Sequence, residues 1–72
     1  MEHILEKEKI ANIVYTNWRG ETAQRMIIPE SIYFGSTEWH PELQWLLRAL
    51  DVEKQAMRDF AIKDISSWEK AH

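Results

Sequence analysis

Cysteine is absent from this 72-residue chain, so neither a disulfide nor a thiolate metal site can form. Glycine and proline occur only twice each, which excludes a glycine-rich phosphate loop and leaves few positions for turns. No apolar run is long enough for a transmembrane helix, and the charged start lacks the apolar segment of a signal peptide. We therefore expect a soluble, cytoplasmic protein with no membrane partner.

An excess of positive charge is also missing. Nine basic residues stand against twelve acidic ones, giving a net charge of −3, which disfavours a globally basic nucleic-acid binder but allows a local basic patch. A chain of this length forms one domain at most and buries only about 60% of its unfolded surface. Its 44% hydrophobic and 29% charged residues are typical of a globular domain.

Tryptophan is abundant for so short a chain, with four residues at Trp18, Trp39, Trp45 and Trp68. A small core needs large side chains, which gives these rings a structural explanation. Tryptophan is also enriched at binding hot spots, so one or two of the rings could face a ligand or a partner. Both interpretations stay open on composition alone.

The first half of the chain has the patterns of β-strands. Residues 10–16 are rich in β-branched and aromatic side chains, and Gly20 supplies a turn before a returning strand over residues 22–28. Pro29 cannot donate a ladder hydrogen bond and is expected to end that strand. Residues 31–34 then predict a short third strand.

The second half is ambiguous. Residues 43–50 alternate apolar and polar positions as a strand does, yet their leucines also sit at helical spacing behind Pro41. The apolar positions from Met57 to Trp68 allow a helix face as well. Periodicity alone leaves two further strands and a helical hairpin as alternatives.

The order of these pieces over residues 13–65 resembles a minimal WYL domain, a bacterial module named for a Trp-Tyr-Leu triplet. The triplet corresponds to Trp45-Leu46-Leu47, followed by Ala49 and Asp51. The other matching pieces are Ile13-Val14-Tyr15, the turn Asn17 to Gly20, Arg25 with Ile27 and Pro29, Ile32-Tyr33-Phe34, and Arg58-Asp59-Phe60-Ala61-Ile62-Lys63-Asp64-Ile65.

The resemblance implies a mainly β fold: a small five-stranded Sm- or SH3-like barrel with a short C-terminal helix. It favours strands near residues 43–50 and 55–62, and a helix from about Asp64. Because an isolated tryptophan in a polar tail usually covers other residues, we expect Trp68 to cover one end of the barrel. The chain then divides into an N-terminal extension (1–9), a WYL-like β-barrel (10–65) and a C-terminal tail or short helix (66–72).

The function that the resemblance implies is ligand sensing without catalysis or a cofactor, in a regulatory role in bacteria or phage. The ligand would be a nucleotide or a short single-stranded nucleic acid in a groove of arginines and aromatics. The chain departs from the family pattern where Leu46 replaces the triplet tyrosine, and where Ala61 and Asp64 occupy positions that are usually basic. The residues that remain as candidate ligand contacts are Arg25, Trp39, His40, Trp45, Arg48 and Arg58.

Each candidate also has a structural explanation. Arg25 and Arg58 could form surface ion pairs, and Arg48 could be merely solvent-exposed. Trp39 could cover the barrel mouth, and His40 could cap a turn. His40 and Glu42 alone make too few ligands for a metal site, so none is expected. The alternative function is a protein-interaction or self-association barrel without a nucleic-acid ligand, and a homo-oligomer is expected in either case because so small a chain exposes apolar side chains.

Overall fold

A computed structural model describes residues 9–71, which fold into one antiparallel β-sheet. The strands are β1 (Ala11–Thr16), β2 (Thr22–Gly35), β3 (Gln44–Asp51), β4 (Ala56–Ala61) and β5 (Ile65–Lys70), in the order β4-β3-β2-β1-β5. The prediction of a mainly β protein with five strands is confirmed. The N-terminal extension predicted over residues 1–9 lies, apart from Lys9, outside the described residues.

Strand β1 shows the alternation that its sequence predicts. Ala11, Ile13 and Tyr15 are buried, and the residues between them are partly exposed. Because successive side chains point to opposite faces of a strand, one face of β1 belongs to the core. The ring of Tyr15 meets Phe60 of β4 edge to face, with the ring centroids 4.9 Å apart.

The turn between β1 and β2 is held by Asn17. Its Oδ1 accepts hydrogen bonds from the backbone N–H groups of Arg19 at 2.9 Å and Glu21 at 3.0 Å. Gly20 has a φ of +82°, a conformation that L side chains rarely adopt. The hairpin predicted from Gly20 is therefore present.

Strand β2 continues through Pro29, so the prediction that this proline ends the strand is wrong. Residues 22–27 pair with β1, and residues 27–35 pair with β3. Beyond Ile27, β2 has no β1 partner, and the register with β3 shifts between Pro29 and Ser31. The missing N–H of Pro29 is tolerated there for two reasons. Within residues 9–71 no strand pairs with that half of β2 on the β1 side, and on the β3 side the register is irregular at this point. The predicted third strand is the second half of β2.

Strands β3 and β4 form a hairpin, so the interpretation of this region as strands is correct and the helical hairpin is wrong. Six residue pairs join them, from Leu46 opposite Ala61 to Asp51 opposite Ala56. The turn is stabilised by the Lys54 N–H, which donates to Asp51 Oδ1 at 3.2 Å. Gln55 completes it with a φ of 52°.

The C-terminal helix predicted from about Asp64 is wrong. Only a 3-10 turn, Ile62–Asp64, precedes β5, which pairs antiparallel with β1. Without β5, the backbone groups on that side of β1 would lack partners, and this tertiary demand outweighs a weak local helix pattern. Trp68 lies opposite Ile13 in this ladder and is 43% exposed, so it does not cover one end of a barrel.

The closed barrel that was predicted is not observed. Within residues 9–71 the sheet is open, because no ladder joins its two edge strands, β4 and β5. Its core consists of buried apolar residues from β1 to β4, with two isoleucines packed against them. The cluster contains Ala11, Ile13, Tyr15, Ile27, Leu47, Ala49 and Phe60, and the two packed against it are Ile62 and Ile65.

Candidate functional site

A cleft of about 430 Å³ opens where the β1–β2 turn, the β2–β3 loop and strand β4 meet. We name it the arginine compartment, because Arg25 of β2 and Arg58 of β4 both line it. Its other lining residues are Tyr15, Asn17, Trp18, Thr37, Trp39, His40, Met57, Asp59 and Phe60. The floor is therefore aromatic and continuous with the core, and the rim is polar.

A second cleft of about 320 Å³ adjoins the first, and we name it the glutamine compartment after Gln44. The two compartments share a wall made of Tyr15, Trp18, Trp39 and His40. The glutamine compartment is completed by Pro41, Glu42, Gln44, Lys63 and Asp64. A ligand that contacts the shared wall can therefore enter either compartment.

Two tryptophans of the shared wall are the most exposed aromatic side chains in residues 9–71. Trp18 is 76% exposed on the β1–β2 turn, and Trp39 is 71% exposed on the β2–β3 loop. Leaving such large apolar surfaces in water forgoes the stabilisation that burial provides. The guanidinium of Arg19 lies 5.0 Å from the Trp18 ring centroid and covers part of it.

The loop that carries Trp39 is anchored at both of its sides. The backbone of Thr37 and His40 exchanges hydrogen bonds of 2.9 and 3.1 Å, and Thr37 Oγ1 accepts from the N–H groups of Trp39 and His40. His40 Nε2 donates to the backbone carbonyl of Asp59 on β4 at 3.1 Å. The ring of His40 thus ties the loop to β4, and it lines both compartments.

Arg25 is tied to the core by an ion pair. Its Nη1 lies 3.5 Å from Oδ2 of Asp51, and Asp51 is only 2% exposed. Asp51 is the one charged residue of the buried set within residues 9–71. The Arg25 side chain is 24% exposed, and its Nε is buried without a hydrogen-bond partner.

Arg58 differs from Arg25 in that no ion pair or hydrogen bond holds its side chain within residues 9–71. It pairs in register with Ala49 and is exposed. On a strand it shares a face with Phe60, as the spacing of the two residues predicts. Arg58 is therefore the cation of the arginine compartment that is available to a ligand.

The structure places two of the six candidate residues outside both compartments. Trp45 packs edge to face against Phe34, with ring centroids 5.3 Å apart. Arg48 forms surface ion pairs, with its Nε 3.4 Å from Glu30 Oε1 and its Nη1 3.7 Å from Asp59 Oδ1. Arg25, Trp39, His40 and Arg58 come together, and Trp45 and Arg48 do not join them.

Sequence reasoning missed several residues of the cleft. Trp18 and Gln44 line it without having been singled out as ligand contacts, whereas Lys63 is a cation that the family resemblance retains. Trp18 carried a usable signal, because a tryptophan in a tight turn is far from the core positions of its strand. Gln44 carried none, since only the fold brings its segment beside the tryptophans.

Two tyrosines near the cleft have phenol groups with a raised pKa. Burial raises the pKa of Tyr15 above 10.0, although the hydrogen bond from the Ala61 N–H to its Oη, at 3.2 Å, acts in the opposite direction. Desolvation also raises the pKa of Tyr33 above 10.0, and the hydrogen bond that its Oη donates to Asp59 Oδ1 at 2.9 Å adds to the shift. Both phenols are held in the neutral form by the fold.

We expect alkaline solutions to destabilise the protein because of these phenols. A folded-state pKa above the unfolded value of 10.0 gives stability that is present below that pH and is lost as the pH rises through the folded pKa. Urea unfolding at a series of pH values, with phenolate absorbance recorded in parallel, measures the loss. Tyr33→Phe should show a smaller alkaline loss than the unmodified protein, and an equal loss would contradict the assignment to Tyr33.

No three His, Asp or Glu side chains within residues 9–71 are grouped so that they could hold a metal ion. No helix in that part of the chain is long and apolar enough to cross a membrane. Comparison of the sequence with protein-family models and with curated proteins finds nothing that matches.

Proposed function

We propose that this protein is a non-enzymatic ligand-binding module that holds a nucleotide or a short single-stranded nucleic acid across its cleft. The observation that carries this proposal is the combination of Trp18 and Trp39, both highly exposed, with the unpaired cation Arg58 in one concave site. Exposed rings stack on bases, and an arginine fork binds phosphate bidentately. A regulatory role in bacteria or phage belongs to the same proposal.

The volume of the cleft and the net charge of the chain both support a small ligand. Its volume of about 430 Å³ lies within the range of about 300–1,000 Å³ that small-molecule sites occupy. The chain carries a net charge of −3, so general attraction to polyanions is weak. Binding would therefore depend on a few contacts, and we expect a shallow salt dependence that corresponds to one or two phosphates.

We also propose that the chain is a WYL-like domain and that its open sheet has the strand arrangement of the Sm- or SH3-like kind. The strand order supports this, since β1 lies between β2 and β5 and a 3-10 turn leads into β5. Pairing of the two edge strands would close such a barrel.

A titration of tryptophan fluorescence tests the proposed function. Nucleoside monophosphates and short single-stranded DNA and RNA are added to the protein at two salt concentrations. We expect a saturable change, and each of Trp18→Leu and Trp39→Leu should weaken binding by the stacking energy of one base, about 1–3 kcal/mol. Trp68→Leu is the matched control, because Trp68 lines neither compartment. A flat response at low salt from folded protein would refute the proposal.

A second candidate function is self-association or docking on another protein. It is favoured by five exposed apolar residues away from the cleft, namely Ile32, Phe34, Leu43, Trp45 and Trp68. Ile32 and Phe34 lie on the half of β2 that has no β1 partner, so apolar side chains accompany a strand edge that is unpaired within residues 9–71. Sedimentation of the same samples separates the two functions, because a concentration-dependent oligomer with no response to nucleotides would support this candidate alone.

A further inference from the structure

Residues 31–35 of β2 form a strand edge that carries no charged side chain. On one side they pair with β3, and on the other side no strand pairs with them within residues 9–71. The edge of a sheet presents backbone N–H and C=O groups that can pair with a further strand. Apolar side chains accompany these groups, because Ile32 and Phe34 are each 55% exposed.

The other unpaired edges within residues 9–71 belong to β4, to β5 and to the first half of β2, and each of them carries charge. Their charged residues are Arg58 and Asp59 of β4, Glu69 and Lys70 of β5, and Arg25 of β2. Charged side chains disfavour the pairing of two edges, because they would have to give up contact with water. Residues 31–35 lack this protection.

The unprotected edge borders a strip of apolar side chains. Ile32 and Phe34 lie on the same face of β2, because they are two residues apart on a strand. Trp45 of β3 lies opposite Phe34, and it is 56% exposed although the two rings pack edge to face. We name these three residues the β2 strip. An added strand at this edge would cover part of the strip and satisfy the backbone in the same step.

We propose that two copies of this chain join edge to edge through residues 31–35, as antiparallel strands with Tyr33 opposite Tyr33 of the other copy. In this register Ile32 of each copy lies opposite Phe34 of the other, and such pairs of β-branched and aromatic side chains stabilise a sheet. The two β2 strips lie on one face of the joined sheet, because the two-fold axis is perpendicular to it. The inference rests on the second candidate function, self-association. It is independent of nucleotide binding, since residues 31–35 line neither compartment.

The charge of Glu30 favours this register over its neighbours. With Tyr33 at the centre, Glu30 lies toward the uncharged Ser36 of the other copy. A shift of the centre to Phe34 would bring Glu30 toward Glu38 of the other copy, and like charges across a strand pair are destabilising. A shift in the opposite direction would place the carboxylate against Phe34. A second copy thus matches this edge both in its apolar side chains and in charge.

Sedimentation velocity of the full chain over a range of concentrations measures the association. We expect a dimer that dissociates on dilution, because a short pair of strands forms a small interface. Phe34→Lys should raise the dissociation constant about tenfold or more, since its ammonium group would be desolvated opposite Ile32 of the other copy. Met57→Lys is the matched control, because Met57 is an apolar residue, 41% exposed, on another edge strand, β4. It should leave the dimer intact.

The absence of cysteine from the chain allows a separate test of the register. A single introduced cysteine can form a disulfide only between copies. Tyr33→Cys places the two cysteines directly opposite each other, where the Cα atoms of paired strands are about 4.5–5.5 Å apart and a disulfide can form. We expect a covalent dimer on mild oxidation. Gln24→Cys, at an exposed position on the first half of β2, is the control and should cross-link only at the level of random collisions.

The outcomes separate this interface from self-association in general. A monomer at every concentration would overturn both. A dimer that persists in Phe34→Lys would overturn the interface alone, and so would cross-linking of folded Tyr33→Cys no stronger than that of Gln24→Cys. If Tyr33→Cys fails to fold because the hydrogen bond to Asp59 is lost, the comparison of Phe34→Lys with Met57→Lys still decides between these outcomes.

Discussion

Arg58→Ala is expected to weaken the binding of a nucleoside monophosphate by about tenfold to a hundredfold, because a hydrogen bond to a charged group contributes about 1.5–3 kcal/mol. Arg58 lines the arginine compartment, and its side chain has no partner within residues 9–71 that would compete with a phosphate. Removing it should leave the fold unchanged, since the side chain is exposed and no described contact depends on it.

The matched control for this prediction is Arg48→Ala. Arg48 is the same side chain on the neighbouring strand, but it is 48% exposed outside the cleft and is already paired with Glu30 and Asp59. We expect its removal to change the affinity by less than about twofold, as surface substitutions away from a site usually do. With single-stranded DNA, Arg58→Ala should also reduce the slope of log K against log salt by about 0.7. Equal losses from the two variants would place the phosphate elsewhere.

Asp51→Ala is expected to lower the free energy of unfolding by about 3 kcal/mol, the lower end of the range for breaking a buried ion pair. The carboxylate of Asp51 accepts from the Lys54 N–H at 3.2 Å and lies 3.5 Å from Arg25 Nη1. Its loss leaves the largely buried guanidinium of Arg25 without a counter-charge. We take the lower end of the range because Arg25 is 24% exposed and keeps some contact with water.

Urea unfolding followed by tryptophan fluorescence measures this effect, and two variants control it. Glu30→Ala breaks the exposed pair with Arg48 and should cost no more than about 1 kcal/mol. The double variant Arg25→Met with Asp51→Ala removes both charges and should be more stable than Asp51→Ala alone. A double variant that is less stable than Asp51→Ala would show that Arg25 stabilises the fold without its partner.

The parts of the fold that sequence reasoning predicted well are those set by local rules. The alternation of β1 and the glycine of the first turn depend on side-chain periodicity and on one backbone angle, and both are as expected. Two of the errors concern Pro29 and the segment after Asp64. In each case the deciding factor was which neighbouring strand was present or absent, and a linear sequence does not contain that information.

The candidate site shows a similar division. That Arg58 and Phe60 share a face followed from the alternation of side chains along a strand, and the structure places both residues in the arginine compartment. Arg48 lies opposite Asp59, whereas Arg58 and Phe60 lie opposite Ala49 and Leu47, so its separation from them depends on the register of β3 with β4, which a linear sequence does not contain. The convergence of Trp18 with Trp39 was beyond such a rule, since it depends on the curvature of the sheet.

Strand β2 connects the two tryptophans, because Trp18 precedes its first residue and Trp39 follows its last. A straight strand of 14 residues would be about 45 Å long. The longest dimension of the described structure is only 35 Å. Both ends of β2 nevertheless reach one cleft, so the strand must curve strongly, and the irregularity between Pro29 and Ser31 is a place where it can do so. The separation of the Trp18 and Trp39 rings then depends on the backbone geometry at Glu30, which touches neither ring. A single-residue deletion at Glu30 would therefore alter ligand size selection from a distance, without changing any side chain that contacts the ligand.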